Sequence, residues 1–381
     1  MKKPLSAFIR EYSARNKNEA CSAVYSVTNS HGFMPSTEYF SKEVFSKDLS
    51  TYKIVKKGMI AYNPSRINVG SVAVQRTAEQ VIVSPLYVVF EVNEKELLPE
   101  YVSYFLHSDI GLAQIAMNTL GSVRDSLKFN ALQKIEINVY SVEEQRRVVD
   151  KLQRLEAISL KKRKVLEKFE DLVKSQFIEM FGDPETNPYD FEKVAINDVC
   201  SSIVRGPFGS ALKKDFFIEK SNNSYKVYEQ KHAIQKSATI GTYYIDELKF
   251  KELSRFECKP GDFIMSCSGT MGELYQLPKD CERGIINQAL CKFTLNDKIS
   301  PVFFTTYMSQ TIGNLETKGS GIKNIAAVSY VKSMPVILPP LEIQNQFARF
   351  VEQTDKSKFR IKQSLEKLEK CYKALLQKYF G

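Results

Sequence analysis

Two long charged segments of this chain repeat the same pattern at a fixed distance. The segment 142–182 reads VEEQRRVVDKLQRLEAISLKKRKVLEKFEDLVKSQFIEMFG, and the segment 341–381 reads LEIQNQFARFVEQTDKSKFRIKQSLEKLEKCYKALLQKYFG. Each opens on Glu-x-Gln and closes on Phe-Gly, and Glu342 follows Glu143 by 199 residues with no gap to the end of the segment. A match this long at one offset predicts an internally duplicated chain.

A looser repeat precedes each segment. Gly58 corresponds to Gly261, and SVTNSHGF aligns with VYEQKHAI so that His31 lies over His232. The whole chain is therefore predicted to be two copies of a globular domain followed by a helix. The predicted divisions are a first globular domain at 1–140, a first helix at 141–182, a second globular domain at 183–340 and a second helix at 341–381.

Apolar side chains recur along both segments in steps of three and four residues, which is the spacing of a coiled-coil seam. The seam positions are Val148, Leu152, Leu155, Ser159, Lys162, Leu166, Phe169, Val173, Gln176 and Met180 in the first helix, and Phe347, Val351, Thr354, Lys358, Ile361, Leu365, Leu368, Tyr372, Leu375 and Tyr379 in the second. The helices could each pack on their own globular domain. Their equal length and register favour pairing with each other, antiparallel, with the globular domains related by a pseudo-twofold axis.

Composition places the chain among intracellular proteins. Hydrophobic residues make up 43% and charged residues 26% of its 381 residues, which is typical of a soluble globular protein. No apolar run is long enough to span a bilayer as a helix, and the first residues lack the apolar core of a signal peptide. The seven cysteines include no Cys-x-x-Cys pair, which argues against a disulfide framework or a zinc knuckle. These features predict a cytoplasmic protein.

The net charge of +10 indicates an acidic partner, although the basic residues are spread along the chain. Two related basic domains held at a fixed separation suit duplex DNA with two half-sites, because protein symmetry is mirrored in target spacing. Since the two domains differ in sequence, the two half-sites should differ as well.

The chain resembles the specificity subunits of type I restriction-modification systems over its full length. The resemblance is carried by the segments GSVRDSLKFNALQKIEINVYSVEEQ, RGPFGSALKK, KPGDFIMSCSGTMGELYQLPKDCERGIINQALCKF and GSGIKNIAAVSYVKSMPVILPPLEIQ. The first helix is preceded by VYSVEEQ, where the family usually has the Pro-Pro pair that Pro339 and Pro340 keep before the second. The first domain also lacks a family segment ahead of it.

The resemblance implies an α/β (α+β) fold with two target recognition domains and an antiparallel coiled coil between them. Each domain would read one half of a split, asymmetric site in double-stranded DNA. The coil would set the spacer and dock two methyltransferase (M) subunits, which act with restriction (R) subunits. Cofactors would then be absent from this chain, with S-adenosylmethionine, ATP and Mg bound by the partner subunits. The alternative is a coiled-coil adaptor whose globular domains bind proteins.

The residues themselves provide no catalytic constellation. No Gly-rich cofactor loop accompanies the nearest matches to an amino-methyltransferase motif, and no Walker A pattern is present. The three histidines, His31, His107 and His232, lack metal-ligand spacing, and His107 is predicted to be structural. We therefore expect no catalytic residue and no metal site, with the chemistry performed by partners.

Polar and basic side chains after strand-like runs are the candidates for contact with DNA, because base edges and phosphates are recognised by such groups. The first-domain candidates are Asn29, Ser30, His31, Lys53, Lys56, Lys57, Tyr62, Asn63, Ser65, Arg66 and Asn68. The second-domain candidates are Arg205, Ser210, Lys213, Lys214, Tyr228, Gln230, Lys231, His232, Ser266, Ser268 and Thr270. Any one of them could equally be an ordinary solvated residue. Both domains also show two strand-like runs joined at Lys-Gly or Pro-Gly, as in YKIVKKGMIAY and FECKPGDFIMS, which predicts globular domains rich in short strands.

Overall fold

The structure, a computed structural model, describes residues 1–17, 21–29, 31–39, 46, 48–119, 126–311 and 328–381. Two compact units make up the chain. The first unit comprises 1–164 together with 361–381, and the second comprises 165–360. Each unit thus joins one globular domain to a part of both long helices.

The first globular domain is built of short strands followed by helices. Its strands are β1 Lys2–Pro4, β2 Ile9–Glu11, β3 Tyr25–Thr28, β4 Gly32–Pro35, β5 Lys53–Lys56, β6 Ile60–Tyr62, β7 Val72–Val74, β8 Gln80–Val83, β9 Val88–Val92 and β10 Glu136–Asn138. Its helices are α1 Ser36–Tyr39, α2 Pro99–His107, α3 Asp109–Thr119 and α4 Phe129–Leu132. The strands β2-β9-β6-β7 form an antiparallel sheet, while β1–β10, β3–β4 and β5–β8 are antiparallel pairs.

The second globular domain follows the long helix α5 Val142–Phe181. Its strands are β11 Lys193–Ala195, β12 Cys200–Arg205, β13 Tyr225–Tyr228, β14 Tyr244–Ile245, β15 Glu257–Cys258, β16 Phe263–Ser266, β17 Leu274–Gln276, β18 Gly284–Ile286, β19 Leu290–Leu295 and β20 Pro335–Ile337. Its helices are α6 Gln230–Ile234, α7 Glu247–Glu252, α8 Pro301–Thr311 and α9 Val328–Ser333, and the long helix α10 Leu341–Phe380 comes after them.

The two domains share the strand order of their central sheet and of one strand pair, which confirms the predicted duplication. They differ in that the second domain has a sheet β14-β13-β18-β15 where the first domain has the pairs β3–β4 and β5–β8. The sheet β12-β19-β16-β17 has the same order as β2-β9-β6-β7, and the pair β11–β20 corresponds to β1–β10. The turns before β6 and β16 match in detail. Gly58 has φ +91° and Gly261 has φ +88°, a left-handed conformation that favours glycine. The Gly58 amide donates to Gln75, and the Gly261 amide donates to Leu277, each at 2.9 Å.

Helices α5 and α10 pack against each other in antiparallel fashion, as the seam pattern predicts. Every predicted seam position is buried or half-buried. In the first unit, the Tyr379 hydroxyl donates to Glu144 at 3.0 Å and Arg163 pairs with Glu369 at 3.1 Å. In the second unit, the Phe177 ring lies 5.6 Å from that of Phe347. Residues early in one helix therefore meet residues late in the other, which confirms the pairing hypothesis.

The Glu-x-Gln at the start of each helix contributes a fully buried amide. The Gln145 side chain accepts a hydrogen bond from the Leu98 amide at 2.8 Å, and donates to the Glu96 and Tyr140 carbonyls. Gln344 repeats this set of bonds in the second domain. One side chain thus bonds three backbone groups, including a buried amide that would otherwise lack a partner, and this fixes each helix start to its domain.

The phenylalanine of the Phe-Gly pair that closes each helix lies in the core of a globular domain, and this is not the domain that precedes the helix in the chain. Phe380 packs in the first domain, 4.8 Å from the ring of Tyr101. Phe181 packs in the second domain, 4.8 Å from the ring of Phe303. Among the described residues, no helix is both long and apolar enough to cross a membrane.

Candidate nucleic-acid interface

In the first domain, the end of β3 and the β6–β7 connection lie side by side. The Ser71 hydroxyl donates to the Val27 carbonyl at 2.7 Å, which ties the two segments together. Between them is a depression of about 110 Å³. Its lining residues are Ser26, Val27, Thr28, Asn29, Asn63, Arg66, Val69, Ser71 and Tyr87. Three residues of the predicted DNA-binding set, Asn29, Asn63 and Arg66, are therefore brought to one place.

The β6–β7 connection is fixed by a buried side chain, by its own backbone hydrogen bonds and by a contact with α2. Ile67 is 1% exposed, and the amides of Arg66, Val69 and Gly70 are all bonded within the connection. Gly70 has φ +89°, and its carbonyl lies 3.2 Å from Nε2 of His107 in α2. His107 therefore has the structural role predicted for it, and that role is to anchor this connection.

The other first-domain candidates divide by exposure. His31, Ser65 and Asn68 are exposed, and each is close in sequence to residues that line the depression. Lys56 and Lys57 are exposed as well, but they precede β6, at the opposite end of that strand from Asn63. Ser30 lies outside the described residues.

Two first-domain candidates are occupied inside the domain. The Tyr62 hydroxyl is buried and donates to the Leu127 carbonyl at 3.0 Å, and burial raises its pKa far above the ordinary value. The Lys53 ammonium donates to the Tyr87 carbonyl at 2.7 Å, and burial lowers its pKa. In this structure Tyr62 is buried and Lys53 is half-buried, and the polar group of each is bonded to a backbone carbonyl of its own domain.

In the second domain, three candidate segments meet at the β18–β19 turn. The Asn287 amide donates to the Tyr228 carbonyl at 2.9 Å, and the Cys267 amide donates to the Ala289 carbonyl at 2.8 Å. The Arg205 side chain donates through Nε to the Gln288 carbonyl at 3.1 Å. The turn thus gathers the segments that begin at Arg205, Tyr228 and Ser266 into one surface.

Most of the second-domain candidates on that surface are exposed or half-buried. Ser210, Lys213, Lys214 and Thr270 are exposed, and Gln230, Lys231 and Ser268 are half-buried. Gln230 donates through Nε2 to the carbonyls of Ser268 and Thr270, so it joins two of the segments directly. The Lys231 ammonium pairs with Glu229 at 2.6 Å.

The remaining second-domain candidates are buried. Tyr228 donates its hydroxyl to the Glu282 carbonyl at 2.5 Å, and Ser266 accepts the Glu273 amide at 2.9 Å. His232 accepts the Glu229 amide at Nδ1 and donates from Nε2 to the Ile240 carbonyl at 2.7 Å. Burial lowers the pKa of His232, so the ring is held neutral. Since their polar groups are bonded within the domain, these three buried side chains support the segments that carry the surface.

The family profile described as type I restriction modification DNA specificity domain matches this chain twice, at residues 12–170 and 188–370. The two matches cover most of the chain, one for each globular domain with its helix. The chain belongs to the type I restriction-modification DNA specificity family. No curated protein sequence matches it significantly.

Solved structures share the fold of this specificity protein. One of them is described as the structural basis of complex assembly and conformational transition of the type I R-M system. It is 16% identical, covers 100% of this chain and 97% of its own, and has a TM-score of 0.66. The type I restriction-modification S subunit from M. genitalium is 13% identical, covers 100% of this chain and 96% of its own, and has a TM-score of 0.56.

Several residues of the specificity protein's candidate surface carry no sequence signal of their own. Asn287 and Gln288 act through their backbone, which any residue type supplies. Phe208 is 62% exposed beside the surface, with its ring centroid 5.7 Å from the Arg205 guanidinium carbon. Within the described residues, no group of His, Cys, Asp and Glu side chains could hold a metal ion.

Proposed function

We propose that the chain is the DNA-recognition subunit of a type I restriction-modification enzyme, with each globular domain reading one half of a split, asymmetric site. The observation that carries the proposal is the repeated surface. In both domains, the segment after β3 or β13 lies beside the connection after β6 or β16. Two such surfaces with different side chains would read two different half-sites.

Partners would perform the chemistry. M subunits would bind S-adenosylmethionine and R subunits would use ATP and Mg, while this chain selects the DNA. A groove between α5 and α10 in the first unit, about 490 Å³ in volume, supports docking of an M subunit there. Its apolar floor includes Leu155 and Leu375, and Lys151, Arg154 and Lys378 flank it.

A domain exchange tests the proposal. Residues 183–340 would be replaced by the corresponding domain of another family member and expressed with the M subunit. Methylome sequencing should show one half of the methylated motif changed and the other half retained. A change in both halves would contradict independent reading.

DNA binding by the complex is tested separately. Its affinity for random duplex should fall steeply between 50 and 200 mM salt, because neutralised phosphates release counterions. Binding that ignores salt would contradict a DNA-recognition role, as would the absence of any binding.

A further inference from the structure

The depression beside β6 has the chemistry of an anion site. Its lining contains no carboxylate, and Arg66 contributes a full positive charge. At about 110 Å³ it is well below the 300 Å³ or more of typical cofactor and drug pockets, so it suits a small group.

The hydrogen-bonding groups available in the depression are mostly donors. Among the described residues, no hydrogen bond or ion pair holds the side chain of Arg66 or that of Asn29. The side-chain oxygen Oδ1 of Asn63 already accepts the Ser65 amide at 3.1 Å, which leaves the side-chain NH₂ group to donate. A ligand here would have to supply several acceptors.

The remaining polar groups of the lining are already bonded to the protein. Thr28 donates to the Gly32 carbonyl at 3.2 Å and accepts the His31 amide, and Ser71 donates to the Val27 carbonyl. Val69, which is 54% exposed, adds apolar surface to the wall. Apolar walls strengthen a charge-assisted hydrogen bond because they exclude water from it.

We propose that this depression binds one backbone phosphate of the first DNA half-site, with Arg66 as the charged donor and Asn29 and Asn63 as neutral donors. The inference rests on the proposed function. A phosphate presents an anionic, convex cluster of acceptors, whereas a stacked base pair presents only an edge within a groove. Since the connection carrying Arg66 is fixed by Ile67 and His107, the backbone of the site is preorganised.

The main test is Arg66→Ala in the complex with the M subunit. We expect affinity to fall about 10- to 100-fold for every duplex, as for loss of a charged hydrogen bond. The slope of log K against log salt should become shallower by about 0.9. The methylated motif should keep all its bases. Arg66→Lys should restore most of the affinity and the slope, because lysine also binds phosphate as a point charge.

Two further variants complete the test: a control outside the depression and a variant that removes one of the uncharged donors. Arg10→Ala removes an exposed arginine of β2 outside the depression and should change affinity much less. Asn29→Ala should also weaken all duplexes evenly, by about 2- to 10-fold. Relaxed preference at one base position of the motif in Arg66→Ala would overturn the proposal in favour of base reading.

A probe without DNA separates this inference from the proposed function. Titration of the isolated chain with inorganic phosphate, followed by NMR of the Arg66 Nε signal, should show saturable shifts that Asn29→Ala weakens. Absence of such shifts, with the salt slope of Arg66→Ala unchanged, would overturn the site while DNA recognition stands. If the wild-type complex fails to bind DNA at all, the proposed function itself fails.

Discussion

The ring of Phe380, the last residue of α10, lies 4.8 Å from the ring of Tyr101 in the first domain. Phe380 is 2% exposed and also packs on Phe105 at 5.8 Å. The core of the first domain therefore includes a residue from the opposite end of the chain.

Phe380→Ala should destabilise the first unit by about 3–5 kcal/mol, the usual cost of removing a buried phenylalanine ring. Because a chain with two compact units is not expected to unfold in a single two-state step, the measurement should be local. Hydrogen exchange of the α2 amides should accelerate, while amides of β16 keep their protection. Phe359→Ala, which removes a ring that is 61% exposed, is the control and should leave both unchanged.

Gln145→Leu should release the start of α5 from the first domain. The change leaves the buried Leu98 amide without a partner, at a cost of about 1–3 kcal/mol, and removes the donor to the Glu96 and Tyr140 carbonyls. The Leu98 amide should then exchange faster, and Gln344→Leu should do the same to the Ser300 amide. Gln153→Leu, on the exposed face of α5, is the control. Equal protection of Leu98 in Gln145→Leu and wild type would contradict the structural role of this amide.

The second domain should lose stability in mild acid through His232. Its folded-state pKa is lowered by burial from an ordinary value of 6.5. Well above pH 6.5 the ring is neutral in both states. As the pH falls through 6.5, the unfolded chain takes up a proton that the folded domain resists. Stability should therefore fall as the pH drops from about 7 toward 5. Exchange of amides in 225–245, corrected for the intrinsic rate at each pH, measures this.

His232→Gln should be less stable at pH 7 but show a shallower loss in acid. His31→Gln, at an exposed position, should retain the wild-type pH dependence. If His31→Gln flattened the profile and His232→Gln did not, the assignment to His232 would be rejected.

Longer helices should lengthen the DNA spacer. Inserting one heptad after Lys164 and one after Gln363 preserves the seam; the first insertion falls at a boundary of the compact units, and the second lies three residues beyond the other boundary. Each insertion adds about 10 Å, the length of about three base pairs. Methylome sequencing should show both half-sites retained and a spacer longer by about one to three base pairs. Some affinity loss is expected because the half-sites rotate about the duplex. An unchanged spacer with full activity would show that the helices do not set it.

The sequence predicted most of the architecture because the signals were periodic. The seam repeat identified the paired helices, and the fixed offset between Glu143 and Glu342 identified the duplication. The turns at Gly58 and Gly261 marked matching strand pairs. Side-chain burial within the candidate surface was harder to predict. Tyr62, Tyr228, His232 and Ser266 are polar residue types next to strand ends, where one bond to a distant carbonyl decides whether the side chain points inward.

Because the end of each long helix packs in a domain other than the one that precedes it, the two units cannot fold in the order in which they are synthesised. The second unit, 165–360, is continuous, so its core can close as soon as those residues have left the ribosome. The first unit must wait for Tyr379, whose carbonyl accepts from Asn138 across 241 positions of the chain. Domains usually fold N-terminal first during translation. Here the domain that is synthesised first completes its fold last. Until residues 361–381 have been synthesised, part of the apolar core of the first domain stays exposed on the ribosome-bound chain.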